Sequence, residues 1–498
     1  MALAAHNVSL DAVARSGSVR LDFRFHDYGA RLAHLFDSVL RAMPLGRVVS
    51  AIRNGHDVTQ ASYEDDDADA IARYLSVASV SSGVLITNET KPLGATAEVR
   101  DLLEAKLGIR SGDLVLTRSG TPGIPWPFVG NHSHPLIAAG FMMQIRCQNI
   151  DEALYLAAIL NHPAWRVRSR AHSAGKRQDN IDQVAVSAIP IPWPVKEARS
   201  RIAEAYRGTM LRIQNSFEDA QNFEAECNEV LAKWLGFPPL SVQHGLWHRQ
   251  VSLDDIANSG LRFDGRWHAP RHLTIRGAVG NPVRLGTLLS SRPVRGKQPK
   301  ADHSLDAADD QPLCITTACI QQGQVVWDDL QPTAQSPRSI RRVREHQLIV
   351  AMDGVGSLGK AAVFRSGDQS RAIGIDSHLS TCDFASQELA DAIACFLNST
   401  WGRAQTEGLM TGATGQTQLS ADDLERVLVP RAIANNAEAI SNSYQAVLTV
   451  WRPPKIAARE IICEGGAATT QQLVEAGALK ESAFLNHTEL RSLLNLLY

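Results

Sequence analysis

The sequence predicts a duplicated α/β (α+β) chain, with two tandem β-rich domains separated by long helices that carry a coiled-coil-like stripe for a partner helix. Three observations predict it. VSLDAVARSGSVRLDFRFH at residues 8–26 returns as VSLDDIANSGLRFDGRWH at 251–268, with eleven of eighteen aligned positions identical and only Ser18 unmatched. Further landmarks recur in the same order: Leu75–Ile86 with Ile315–Val326 around Gly83 and Gly323, Leu114–Gly120 with Leu348–Gly354, and Ser173–Pro192 with Thr411–Pro430. Finally, apolar residues three and four apart run from Ile202 to Trp234, as on a helix that packs against another helix. A repeat half the chain long is no solenoid and means duplication of a whole domain.

These signals divide the chain into a first domain at 1–194, a long helix at 195–236, a second domain at 237–430, and 431–498. The last segment holds a second long helix, broken at Pro453-Pro454, and a C-terminal helical tail. Each domain opens with the repeated segment, where Arg20 with Asp22 and Arg262 with Asp264 are expected to form structural ion pairs. Strand-like pieces bounded by Gly, Pro and Asn follow. They are IRNGHDVTQ, ARYLSVASV, GVLIT, GDLVLTRSG and FMMQIRC in the first domain, and VRLGTLL, LCITTACI, QVVW, HQLIVAM and KAAVF in the second. A helix with an acidic first turn closes each set, Asp151–Trp165 and Ser386–Gln405.

The long helix, Val195 to about Leu235, carries Ile202, Tyr206, Met210, Ile213, Phe217, Ala220, Phe223, Cys227, Leu231 and Trp234 on one stripe. About forty residues at ~1.5 Å each make a rod of roughly 60 Å. Gly236 and Pro238-Pro239 end it. The second helix begins alike, with Ile440, Tyr444 and Leu448 matching Ile202, Tyr206 and Met210. Beyond Pro454 two short helical patterns flank Gly465-Gly466.

The chain has 498 residues, 44% hydrophobic and 20% charged, which suits two to four ordinary globular domains. A net charge of −2 argues against coating nucleic acid through bulk charge. Local clusters read otherwise: Arg166, Arg168, Arg170, Lys176 and Arg177, then Arg292, Arg295, Lys297 and Lys300, then Arg338, Arg341, Arg342 and Arg344. Each either neutralises phosphates or forms a solvated face. The acidic runs Glu64–Asp69 and Asp302–Asp310 read as exposed loops. Seven scattered cysteines read as buried thiols of a reducing cytosol, with Cys314 and Cys319 on opposite faces of one strand. Without a signal-peptide pattern or a bilayer-spanning apolar run, the expectation is a soluble cytoplasmic protein with no membrane partner.

No catalytic constellation emerges, so no enzyme activity, metal or cofactor is expected in this chain. DGVGSLGK at 353–360 has phosphate-loop glycines, but AAVF behind it reads as a returning strand and not as the helix such a loop must open. His132 and His134 lack further ligands at metal-binding spacing. The Asn281-Pro282-Val283 stretch lacks the aromatic residue of an adenine-methyltransferase loop, and no Gly-x-Ser-x-Gly elbow occurs.

Several motifs together carry a family resemblance. Tyr74-Leu75-Ser76, then Gly112–Gly120, then Gly175–Ile181, then Ile189–Pro192 and a long helix resemble the DNA specificity subunit of type I restriction-modification systems. Leu348–Gly354, Gly412–Leu419 and the helix after Pro430 repeat the order, so the resemblance covers nearly the whole chain. It implies two target recognition domains reading the two parts of a double-stranded DNA site, in a non-catalytic subunit of a restriction-modification or related phage-defence complex. It also implies two copies of an adenine-N6 methyltransferase subunit that uses S-adenosylmethionine, and a restriction motor subunit that uses Mg and ATP. The antiparallel helix pair would join Ile202, Tyr206, Met210, Ile213 and Phe217 with Ile440, Tyr444, Leu448 and Trp451. A free-standing tandem β-rich module for a non-DNA ligand is the alternative. It shares the duplication but does not need the long rod.

For DNA contacts the glycine loops and their flanks are the candidates: Arg118, Ser119, Lys176, Arg177, Gln178 and Asn180 in the first domain, Lys360, Thr414, Gln416 and Gln418 in the second. Arg and Lys suit phosphates or guanine edges, and Gln and Asn suit adenine edges. Loops that only cap helices are the competing reading.

Overall fold

In the computed structural model the described residues are 32, 35–64, 69–173, 180–237, 250–258, 267–298, 311–333, 340–354, 357–366, 371–411, 417–483 and 485–495. The repeated openings lie mostly outside them, with Arg20, Asp22, Arg262 and Asp264, as does the acidic run 302–310. The chain forms two compact units, Met1–Phe217 with Pro454–Tyr498, and Glu218–Pro453.

In the first unit run β1 (Ala42–Pro44), β2 (Ala51–Asn54), β3 (Ala72–Leu75), the hairpin β4 and β5 (Val80–Ser81, Val84–Leu85), β6 (Lys91–Leu93), β7 (Asp113–Thr117), β8 (Pro125–Pro127), β9 (Leu136–Ala138), β10 (Met142–Arg146) and β11 (Pro190–Pro192). The central antiparallel sheet has the order β2-β10-β7-β8, a second sheet is β6-β3-β9, and β1 pairs with β11. Among its helices are α1 (Ala97–Glu104), α2 (Ile150–Asn161), α3 (Pro163–Ala171) and α4 (Gln183–Ser187). Every residue of β7 is buried, because the central sheet is covered on both faces. Val115 joins the core of Leu75, Trp126 and Ile137 on the side of the second sheet.

The chain then runs through α5 (Lys196–Gln221) and α6 (Phe223–Leu235). The predicted continuous rod is thus two helices meeting at Asn222, and the unit boundary falls between Phe217 and Glu218. Gly236 closes α6 with a left-handed φ of 68°, the conformation glycine adopts without steric cost.

The second unit repeats the topology strand for strand. It comprises β12 (Pro282–Arg284), β13 (Leu289–Arg295), β14 (Leu313–Ile315), the hairpin β15 and β16 (Ile320–Gln321, Gln324–Val325), β17 (Gln331–Pro332), β18 (Leu348–Ala351), β19 (Ala361–Val363), β20 (Ile373–Ile375), β21 (Leu379–Phe384) and β22 (Leu428–Pro430). The sheets are β13-β21-β18-β19, β17-β14-β20 and β12-β22. In both units the second sheet contains a parallel pair, β3 with β9 and β14 with β20, in an otherwise antiparallel fold. As expected, the chain after the glycines of 353–360 returns as a strand, β19, antiparallel to β18.

The helix that follows each central sheet is split. The second unit has α7 (Gln387–Asn398) and α8 (Thr400–Leu409), as the first has α2 and α3, where single helices are predicted. The break has a local cause. His162 is extended at φ −59°, ψ 133° and caps α3, with Pro163 following as the first helical residue. Ser399 takes the same place at φ −80°, ψ 164° and its side chain accepts from Gly402 N.

After α9 (Ala421–Glu425) and β22 come α10 (Ala437–Val450), α11 (Pro454–Glu475) and α12 (His487–Asn495). The helix stops before Pro453-Pro454, and α11 starts afresh with Pro454 as its first residue. The predicted separation at Gly465-Gly466 does not occur, since α11 runs through both. Their lack of a Cβ serves close packing inside the first unit: one on Gly465 would lie 3.0 Å from Thr209, and one on Gly466 3.1 Å from Pro163. The tail belongs to the first unit. Leu40 N donates to Ala478 O at 2.9 Å and Lys480 N to Ser38 O at 3.0 Å.

All seven cysteines are buried free thiols. Cys314 and Cys319 do not share a strand, for the chain turns into a 3-10 helix at Thr317–Cys319. No helix among the described residues is long and apolar enough to cross a membrane.

Candidate nucleic-acid interface

Each globule ends its central sheet in a polar tip, and the same backbone bonds build both tips. In the first, Asn180 bridges Ser119, Ile181 N donates to Arg118 O at 2.9 Å, and Arg118 N donates to Phe141 O at 3.0 Å. In the second, Gln418 bridges Asp353, Leu419 N donates to Met352 O at 2.7 Å, and Met352 N donates to His378 O at 2.8 Å. On the flanking strand Gly55 N bonds Met142 O at 2.9 Å and Gly296 N bonds Leu379 O at 3.0 Å. Arg118 therefore corresponds to Met352, Ser119 to Asp353, Phe141 to His378, Asn54 to Arg295 and Asn180 to Gln418.

The side chains at these places differ. In the first tip Arg118 donates through Nε to Asn180 Oδ1 at 3.2 Å and through Nη1 to Gly140 O at 3.4 Å. Phe141 beside it is 52% exposed, unusual for a phenyl ring. In the second tip Met352 is buried, and the arginine has moved to the neighbouring strand. Arg295 Nη2 donates to Asp353 Oδ2 at 2.6 Å, and His378 Nδ1 lies 3.0 Å from the same oxygen. Beneath them Asp376, in the place of Ala139, accepts from His378 N at 2.9 Å, and burial pushes its carboxyl above the usual range.

Of the predicted DNA contacts, the fold brings Arg118, Ser119 and Asn180 together at one tip and sets Gln418 against Asp353 at the other. Lys360 lies where the chain enters β19, its carbonyl accepting from Ala351 N at 2.9 Å. Lys176, Arg177, Gln178, Thr414 and Gln416 fall outside the described residues.

Several described arginines of the basic clusters are buried or engaged by acidic or aromatic side chains. Arg166 is buried, and Arg168 stacks over Phe36 at 4.3 Å, where burial lowers its pKa. Arg292 pairs with Asp422 and, at 3.6 Å, with Glu425. Arg344 holds Asp383 at 2.8 Å. His132 and His134 both face the hydroxyl of Ser133, and no group of three or more metal-ligating residues occurs among the described residues.

The predicted helix-pair residues divide between the units. Ile202, Tyr206 and Ile213 are buried in the first unit, where Met210 and Phe217 are half-buried. Ile440 and Tyr444 are buried in the core of the second, and Leu448 and Trp451 pack against it. There Tyr444 and Trp451 meet Phe223 of α6, each with ring centroids 6.3 Å apart.

A feature that sequence reasoning missed seats each globule on its helix. Asn161 Nδ2 donates to Tyr206 Oη at 3.1 Å, and Asn398 Nδ2 donates to Tyr444 Oη at 3.1 Å. Against each couple sits the turn of a short hairpin, Ser82-Gly83 and Gln322-Gly323, with φ positive at both residues as a two-residue hairpin loop demands. The signal was present, because both asparagines end the aligned helices, in ILN161 and FLN398. Arg295, Asp353, His378 and Phe141 left no such signal, being gathered from separate segments.

No family model matches this chain, and no curated protein does. Among solved structures it is similar to a type I restriction-modification system S subunit from M. genitalium, with 13% identity over 92% of this chain and 95% of that one, at a TM-score of 0.30. It is also similar to a chain from a study of the assembly and conformational transition of the type I R-M system, with 15% identity over 88% and 97%, at 0.30. A third is the HsdS subunit from Thermoanaerobacter tengcongensis, with 15% identity over 88% and 96%, at 0.25.

Proposed function

We propose that this chain is the non-catalytic DNA specificity subunit of a type I restriction-modification or related phage-defence complex. It reads a two-part double-stranded DNA target, one part with each globule, and positions an adenine-N6 methyltransferase on it. One observation carries the reading: the same sheet topology is built twice on one chain, with the same Asn–Tyr seat and a differently furnished polar tip in each copy. Duplicated modules with unlike tips suit a target whose two parts differ, and the helices between modules set the spacing. The order of the sequence motifs supports the same assignment.

The chemistry would then reside in partners. Two methyltransferase subunits would supply S-adenosylmethionine, and a motor subunit would use Mg and ATP. The test is co-expression with the accompanying methyltransferase, followed by a mass of the purified complex and methylome sequencing of the host. The expected result is two methyltransferases per chain and adenine methylation in a two-part motif with a fixed spacer. A chain that forms no complex and directs no methylation would instead be a tandem binding module for a non-DNA ligand.

A further inference from the structure

The tip of the second globule carries an ionic set that the fold does not require. The first globule makes the same backbone bonds with Asn54, Ser119 and Phe141 where the second has Arg295, Asp353 and His378. The sibling domain is thus an internal control: neither arginine, carboxylate nor imidazole is needed to close this end of the sheet. Their side chains are nevertheless ordered by one another. Arg295 and His378 both engage Asp353 Oδ2, at 2.6 and 3.0 Å, while remaining 41% and 52% exposed.

The protonation pattern follows from the acceptor. An ionised carboxylate only accepts, so the histidine nitrogen facing Asp353 is Nδ1–H, and Nε2 is left for another partner. The Arg295 guanidinium bonds Asp353 through Nη2 and keeps further donors of its planar fork for the solvent side. A fork held in place by a carboxylate loses less freedom on binding than a loose one. Two parallel donors of this kind match the O6 and N7 acceptors of guanine in the major groove.

We infer that Arg295 and His378, both held by Asp353, are base-reading residues of the second globule, with Arg295 addressing a guanine from a place where the first globule has Asn54. The inference rests on the proposed DNA recognition. It is tested with the full chain in its methyltransferase complex, by selection from a randomised double-stranded oligonucleotide library. Wild type is expected to select a two-part motif with a guanine at one fixed place.

Arg295→Ala should lower the preference for that guanine by about tenfold or more and leave the other part of the motif unchanged. Arg295→Lys keeps the charge and loses the fork, so it should retain affinity while relaxing the same position. His378→Ala should alter a base adjacent to that guanine, and Phe141→Ala should affect only the other part. Equal melting temperatures would establish that the exposed substitutions leave the fold intact. If Arg295→Ala and His378→Ala complexes both select the wild-type motif unchanged, the inference is wrong while the proposed function stands. If wild type itself selects no two-part motif, the proposed function fails first.

Discussion

Asn161 with Tyr206 and Asn398 with Tyr444 are the same device in two settings, yet the residues around them are not. Counting back from each asparagine, buried Leu154 of α2 becomes buried Asp391 of α7, and counting back from each tyrosine, Ala203 becomes Ser441. Phe128 and Phe364, bonded alike to Asp113 O and Gln347 O at 2.8 Å, make Val129 the counterpart of Arg365. The first unit thus fills with apolar side chains a place where the second builds a triad. Arg365 holds Asp391 at 2.7 and 2.8 Å, and Ser441 donates to Asp391 at 2.8 Å. One packing role has been met in two ways, which teaches that the backbone and the seat are the constrained parts.

The largest expected effect tests this equivalence. Asp391→Ala removes a fully buried carboxylate and leaves Arg365 unpaired, at a cost of about 3 kcal/mol, the low end for a broken buried pair because Arg365 is still 32% exposed. Replacing the whole triad with the sibling's residues, Arg365→Val with Asp391→Leu and Ser441→Ala, should be neutral or stabilising. Denaturant melts of both variants check it, and a triple variant weaker than Asp391→Ala would show that the two sites are not equivalent.

The hairpin turns come next. Gly323 has φ +70° and a Cβ there would strike the Tyr444 hydroxyl, so Gly323→Ala should cost about 2 kcal/mol. Tyr444→Phe should return part of that loss. A Cβ on Gly83 would meet Asn161 Nδ2 at 2.8 Å before Tyr206 Oη at 3.0 Å, so Tyr206→Phe should rescue Gly83→Ala less well. Double-mutant cycles on thermal stability measure the difference.

Acid should separate the two units. His162 is enclosed, its Nδ1 accepting from Ala164 N at 3.2 Å and its Nε2 lying 3.0 Å from Thr470 Oγ1, and burial lowers its pKa to about 3. Below the ordinary histidine pKa of ~6.5 the unfolded chain takes up a proton that the folded site refuses. Stability of the first unit should therefore fall by ~1.4 kcal/mol per pH unit from about pH 6.5 down towards pH 3, or about 2 kcal/mol at pH 5. The second unit has Ser399 in that place and lacks this term. Amide exchange in Asp113–Thr117 against Leu348–Ala351 at pH 7 and pH 5 reads the contrast, and His162→Ser should remove it.

What the sequence discloses follows from what repeats. The landmarks around Gly83 and Gly323 and around Leu114 and Leu348 mark equivalent strands, because both copies need the same turn and the same buried strand. The breaks at His162 and Ser399 were hidden, since an apolar stripe continues through a capping residue when both helices bury the same face. Gly465-Gly466 misled because glycine that permits close packing has the same letter as glycine that ends a helix. Among site residues, Ser119 and Asn180 were legible from the repeated loop. Arg295, Asp353 and His378 were not, because a tip assembled from three strand ends has no spacing to read.

The smallest expected effect concerns the seat itself, and the two copies differ there in how much their asparagine depends on tyrosine. Asn398 has backbone partners on both ends of its amide, donating to Ala361 O at 2.8 Å and accepting from Ala361 N at 3.2 Å. Asn161 donates to Ser82 O at 3.2 Å, but its buried Oδ1 has no hydrogen-bond partner among the described residues. Removing the hydroxyl therefore leaves Asn398 well fixed and Asn161 held by one long bond. Tyr444→Phe should cost less than ~1 kcal/mol and Tyr206→Phe about 1 to 1.5 kcal/mol, within the range for a single buried hydrogen bond. Equal losses would mean that the hydroxyl serves chiefly as packing volume beside the hairpin turn, which the glycine cycles would then report with the same size in both units.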